Sequence, residues 1–224
     1  MYKTITMDLK KPTVLRKTSF IDYPGRISAV IFFPGCNLRC PWCHNRELVL
    51  FPELKEDAGY ITLEKALAHI EKRKKLLGGV VLSGGEPSLF PGIGELIERI
   101  KSLGLAVKID TNGLLPGVLK TLFGAGQTRP DYVAMDLKTS PRRYVDLLPE
   151  NSRAAADPGE AVTRSAALIR ASGIPHEFRS LEFTGDHTYF DEQDRAALAP
   201  LAGDSPWRIR PFVPGNCLDP SWNA

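Results

Sequence analysis

Three cysteines fall within eight positions of this 224-residue chain, in the stretch FPGCNLRCPWCHN from Phe33 to Asn45. Cys36, Cys40 and Cys43 are spaced C-x3-C-x2-C; the fourth cysteine, Cys217, lies far downstream. A closed structural zinc site takes four ligands, so three thiols on one loop raise the question of an incomplete site. Cysteine thiolates also hold iron–sulfur clusters, four of them for a fully ligated [4Fe–4S] cube. Three thiolates leave one iron without a protein partner and free to bind a small molecule, as a catalytic zinc keeps one vacant position. Gly35 allows close passage of the backbone, and the loop can aim N–H groups at sulfur. A zinc site completed by Cys217 is the competing reading. It is the weaker one, because structural zinc sites usually pair two C-x2-C knuckles and only Cys40 and Cys43 are so spaced. His44 is too close to Cys43 for both to ligate one ion without strain.

Four further stretches carry chemistry. SGGEP (83–87) places two glycines, which permit close backbone approach, before Glu86, a carboxylate able to accept from a cationic amine. KIDTNG (108–113) and MDLK (135–138) end two apolar runs in polar groups. Asp136 and Lys138 are two apart, hence on one face of a strand, where they form either an internal ion pair or a ligand contact. Arg179, in HEFRS, faces either a ligand or a lumen carboxylate. Trp42 is readable as core.

These groups must be held by the elements around them. RISAVIFF (26–33), GVVLSGGE (79–86), LAVKIDTNG (105–113), DYVAMDLKTS (131–140), HEFRSLEF (176–183) and WRIRPFVP (207–214) read as six strands. Helical patterns separate them: 61–77 with Thr62 as N-cap, 92–104 closed by Gly104, then segments starting near 114, 159 and 191. Alternation of this kind implies parallel strands with right-handed crossovers. Six units are too few for a full eight-stranded barrel, which takes about 250 residues. The choice lies between a doubly wound open sheet and a partial (β/α)6 TIM-like barrel. Glu86, Asp110, Asp136, Lys138, Arg179, Arg208 and Arg210 favour the partial barrel, because strands covered on both faces read as continuous apolar runs. A polar lumen accommodates charges that would be costly to bury alone. EKRKK (71–75) reads as a solvated helix face, and 149–159 as a mobile surface loop.

The 29 basic and 26 acidic residues nearly balance, at a formal +3, which argues against nucleic acid or a membrane surface as partner. No apolar run reaches the roughly 18 residues of a membrane span, and the first residues lack a signal peptide's apolar stretch. Clustered thiols without a disulfide scaffold suit metal or redox chemistry in a reducing cytoplasm. One domain covering 1–224 is expected, with residues 1–16 as an extension.

The cysteine spacing, with an aromatic before the last cysteine, resembles the signature of the radical S-adenosylmethionine (SAM) enzymes. GCNLRCPWCHN preceded by IDYPGR is similar to the activating enzymes of glycyl radical enzymes, and within these to activators of anaerobic ribonucleoside-triphosphate reductase. The likeness runs from about Lys17 to Pro220. It implies a radical SAM core in which Cys36, Cys40 and Cys43 hold a [4Fe–4S] cluster. It also implies that Trp42 meets the adenine of S-adenosylmethionine and that Gly84, Gly85 and Glu86 meet its amino group. Asp110, Thr111, Asn112, Asp136, Lys138 and Arg179 would line the remaining cosubstrate site. Asp110, Thr111 and Asp136 are further implied as ligands of a monovalent cation. The activity implied is reductive cleavage of S-adenosylmethionine to a 5′-deoxyadenosyl radical, which takes hydrogen from a glycine of a partner protein, with a flavodoxin- or ferredoxin-type electron donor. Some such activators offer a last-strand histidine to the ribose; here that strand reads IRPFVPGN, with Arg210 the candidate replacement. Two alternatives are a radical SAM enzyme acting on a small metabolite and a non-catalytic zinc-binding scaffold.

Overall fold

The computed structural model describes residues 7–51, 59–124, 126–152, 157–183 and 190–223. Six strands run parallel: β2 (Ser28–Phe33), β4 (Gly79–Gly84), β5 (Ala106–Thr111), β6 (Tyr132–Asp136), β7 (His176–Glu182) and β8 (Trp207–Pro211). These are the six strands expected from the sequence. Two more were not expected. β1 (Pro12–Ser19) pairs antiparallel with β2, and β3 (Ile61–Thr62) pairs antiparallel with β1. The sheet order is β3-β1-β2-β4-β5-β6-β7-β8, open at β3 and β8. β1 thus begins inside the segment read as an N-terminal extension. Four of its residues VLRKTS are polar, and Arg16 and Lys17 are exposed, which hides the strand from a search for apolar runs.

Helices fill the crossovers. The cysteine loop leads into the single turn α1 (Arg46–Val49), followed by α2 (Leu63–Arg73), α3 (Ile93–Ser102), α4 (Pro116–Leu122), α5 (Pro158–Ala171) and α6 (Glu192–Ala202). Local chemistry sets their ends. The Thr62 side chain accepts from the Lys65 N–H at 3.3 Å, the expected cap of α2. Gly104 takes φ +80° just past α3. Asp157 caps α5, and Asp191 with Asp194 forms a capping box at α6. In EKRKK all but Arg73 are exposed. Of the 149–159 segment, Glu150–Ser152 forms a 3-10 turn and 153–156 lie outside the described residues.

The packing decides between the two architectures. Ile31, Leu82, Ile109, Val133 and Phe178 are wholly buried and belong to one core cluster with Ile70, Ile97, Leu119, Ile169 and Leu198 from α2 through α6. The crossover helices therefore share one face of the sheet, as in a barrel; a doubly wound sheet would be covered on both. Strand register puts Lys108, Asp110, Asp136, Glu177, Arg179 and Arg208 on the opposite face. Toward one end of that face Tyr23, Val30 and Val81 pack together. The polar residues do line the inner face of an incompletely closed (β/α) barrel.

Candidate active site

The loop after β2 carries the three thiols. Gly35 takes φ +92° and donates its N–H to the Leu48 carbonyl at 2.7 Å, folding the loop back onto α1. Inside it, the Cys43 N–H reaches the Cys40 carbonyl at 3.0 Å. Arg39 braces it with Nη1 on the Cys36 and Leu38 carbonyls at 2.8 and 2.9 Å. All three thiols line one cavity of about 300 Å3, at the C-terminal ends of the parallel strands. Burial pushes the Cys36 thiol up to about 11 and that of Cys40 up to about 12; burial also raises Cys43. Metal loading must therefore remove a proton from each thiol.

The same cavity is lined by Trp42, Gly84, Gly85, Glu86, Asp110, Thr111, Asn112, Asp136, Lys138 and Arg179. These ten residues thus meet the three cysteines in one place, although the elements carrying them span 36–179. The two glycines do something more immediate than approach a ligand. A Cβ on Gly85 would overlap the Gly35 carbonyl, and one on Gly84 would overlap the Phe33 backbone. Their absence lets the Gly85 N–H reach the Phe33 carbonyl and the Glu86 N–H reach that of Gly35, both at 2.9 Å. SGGE is a clamp on the cysteine loop.

Glu86 is 1% exposed, and its carboxylate accepts from four protein donors. They are the Ser88 N–H (3.1 Å) and hydroxyl, the Thr111 hydroxyl (2.9 Å) and the Asn112 N–H (2.7 Å). Burial drives its carboxyl up while these donors pull it down, and burial prevails. Glu86 joins the ends of β4 and β5. That commitment was not foreseen, because Thr111 and Asn112 are 25 and 26 positions away.

On the sheet's inner face the charges form a chain. Lys108, 2% exposed, pairs with Asp110, which also takes Ser83 Oγ at 3.1 Å and Arg179 Nη1 at 3.5 Å. Arg179 Nε meets Asp136 at 2.8 Å, and Asp136 pairs with Lys138 at 3.2 Å. Burial works to raise the Asp136 carboxyl, but Arg179 and Lys138 beside it outweigh burial and hold it well below the usual carboxylate range. Burial disfavours the charge on Lys138 and Arg179, yet the facing carboxylates raise both. The Asp–Lys pair and the Arg179–carboxylate contact read from the sequence are therefore present. Lys108, two residues before Asp110, was overlooked; the spacing that exposed Asp136 and Lys138 would have found it.

The expected monovalent-cation ligands fit poorly. Arg179 lies between Asp110 and Asp136, and Thr111 Oγ1 is engaged by Glu86 and by the Gly113 N–H. A cation there would compete with a guanidinium for both carboxylates. Nor do the thiols suit mononuclear zinc: among the described residues no three His, Cys, Asp or Glu are grouped to hold one metal ion. Thiols that share a cavity without converging on one ion fit a polynuclear cluster, whose ligands attach to different irons. Cys217 does not line the cavity; its buried thiol faces the Gly215 and Trp222 carbonyls at 3.7 and 3.6 Å. His44 stacks on Phe212 at 5.6 Å. Trp42 is 4% exposed and packs against Phe183 at 4.9 Å and Trp222 at 5.4 Å, so it belongs to the core and the cavity wall together. Arg210 borders an adjoining cavity of about 230 Å3 that shares Trp42, Asp136, Lys138 and Arg179.

Comparison with known proteins agrees with this geometry. Residues 30–198 match the family model described as the radical SAM superfamily. A Methanocaldococcus jannaschii protein, provisionally named a glycyl-radical enzyme activating enzyme, is 32% identical over 90% of this chain and 79% of its own length. The pyruvate formate-lyase-activating enzyme of Clostridium pasteurianum is 32% identical over 55% of this chain, which spans half of that enzyme. In fold, a radical SAM methyltransferase from Sphaerobacter thermophilus superposes with a TM-score of 0.58 at 18% identity, covering 87% of this chain and 57% of that one. No helix among the described residues is long and apolar enough to cross a membrane. With a matched family model over most of its length and thiols grouped as that family's chemistry demands, the chain belongs to the radical SAM superfamily.

Proposed function

We propose that this radical SAM enzyme is a cytoplasmic glycyl radical enzyme activase, built as one domain, whose protein substrate is an anaerobic ribonucleoside-triphosphate reductase. As a member of its superfamily it uses a [4Fe–4S] cluster and S-adenosyl-L-methionine. The observation that carries the reading is the convergence on one cavity of Cys36, Cys40 and Cys43 with Gly84–Glu86, Asp110–Asn112, Asp136, Lys138 and Arg179. Cys36, Cys40 and Cys43 would hold the cluster, which would supply the electron for reductive cleavage of S-adenosylmethionine.

The chain's own residues do the rest. Lys138 and Arg179 face the cavity as cations suited to a carboxylate or hydroxyls of the cosubstrate, and Asp110 and Asp136 fix their positions. Glu86 holds the ends of β4 and β5 in register with the cysteine loop. The adjoining cavity toward Arg210 and the edge strand β8 leaves the inner face open to one side. A polypeptide loop can enter there and present a glycine Cα, from which one hydrogen atom passes to the nucleoside. The products are 5′-deoxyadenosine and a glycyl radical. A flavodoxin- or ferredoxin-type protein is the proposed reductant.

The test is anaerobic reconstitution with iron and sulfide, reduction, and incubation with the reductase. The expected result is 5′-deoxyadenosine together with a glycyl radical signal in electron paramagnetic resonance. Abundant cleavage with no radical on the partner, and turnover of a small metabolite instead, would replace this reading with that of a metabolite enzyme.

A further inference from the structure

We propose that Asn112 tunes the reduction potential of the cluster through its side-chain amide, which donates to the Cys36 sulfur. The inference rests on Cys36 being a cluster ligand, and it is independent of the partner protein. Asn112 Nδ2 lies 3.8 Å from Cys36 Sγ and 2.7 Å from Asn37 Oδ1. The orientation of the amide is fixed by its other end: the Leu114 N–H donates to Asn112 Oδ1 at 3.0 Å, and a backbone N–H can only face an oxygen. Both amide protons are thereby turned toward the cysteine loop. The backbone of Asn112 is fixed as well, because its own N–H is held by the buried Glu86 carboxylate at 2.7 Å. Gly113, at φ +79°, turns the chain against Met135 immediately after. Asn112 is 4% exposed, so water does not compete for the contact.

Cys36 has a second donor, the Leu38 N–H at 3.4 Å, but that belongs to the loop backbone and no side-chain change removes it. Asn112 is the donor a substitution can delete. An N–H aimed at a ligand sulfur draws off negative charge, and charge increases when the cluster is reduced. Such a bond favours the reduced state and raises the potential. Asn112 therefore acts through Cys36 as a positioning and tuning residue, with its side chain committed to the cysteine loop.

The test compares wild type, Asn112→Ala, Asn112→Leu and Asn37→Ala after anaerobic reconstitution to equal iron content, with the potential read by redox titration followed by electron paramagnetic resonance. Deleting the donor is expected to lower the reduced-to-oxidised ratio at a fixed potential about tenfold, a shift of about 59 mV to the negative for one electron. Asn37→Ala keeps the donor and is expected to shift the potential less. An unchanged potential in the loaded Asn112 variants overturns the proposal. Should those variants fail to hold iron, the wild-type protein carrying 15N only in asparagine side-chain amides decides. A nitrogen coupling on the reduced cluster that survives Asn37→Ala supports the bond, and no coupling overturns it. Iron retained in Cys36→Ala would instead refute the assignment of the cluster to this loop.

Discussion

Cys36, Cys40 and Cys43 differ from Cys217 in what surrounds them. Three thiols open on the cavity, whereas the fourth is wholly buried against two carbonyls. Changing any of the three to Ala is expected to abolish 5′-deoxyadenosine formation and bound iron; Cys217→Ala keeps both, as product and metal assays will report. Lys108 makes a separate prediction. Its side chain is 2% exposed against Asp110, and removing one partner of a buried pair leaves the other uncompensated. Lys108→Met is expected to cost about 3 kcal/mol in chemical denaturation, at the low end because Arg179 and Ser83 still hold Asp110.

Loops between elements join the site to the scaffold. Gly85→Ala would drive a methyl group into the Gly35 carbonyl; it is expected to cost about 3 kcal/mol and to loosen the cysteine loop, visible as reduced iron retention. The loop after β6 is tied to α6 by Asp194, 1% exposed. Asp194 accepts from the Ser140 N–H at 2.9 Å and from Arg143 at 2.7 Å. Burial raises the Asp194 carboxyl, but the Ser140 and Asp191 donors and Arg143 outweigh it and leave it below its usual value. A depressed native value means that the unfolded chain binds the proton more readily. The stabilisation is therefore present above the unfolded value near 4 and is lost as pH falls through the native one. Asp194→Asn is expected to lose about 2 kcal/mol at pH 7, with the gap from wild type closing below about pH 4 in thermal melts.

Across the whole molecule, the segment after β8 returns to the site. The Asp219 N–H reaches the Pro41 carbonyl at 2.9 Å, and Trp222 packs on Trp42, Phe183 and Phe212. The last residues thus brace the first loop of the barrel from across its open side. Trp222→Ala is expected to cost about 3–5 kcal/mol and to reduce iron retention, checked by denaturation and metal analysis. This long-range contact has no local signature in PSWN, and the sequence offered no reason to bring residue 222 to residue 42.

Spacing along the chain was enough to find the thiols, the six parallel strands, the polar inner face and the Asp136–Lys138 pair. Each follows from a short period, either ligand count on one loop or alternation along one strand, which needs no knowledge of distant residues. Three features waited for the fold. Glu86 bridges the ends of β4 and β5, Asn112 turns its amide to Cys36, and Arg179 comes between Asp110 and Asp136. Those roles depend on which strand lies beside which. Parallel neighbours are separated by a whole helix, so only tertiary packing brings their polar ends within hydrogen-bonding distance.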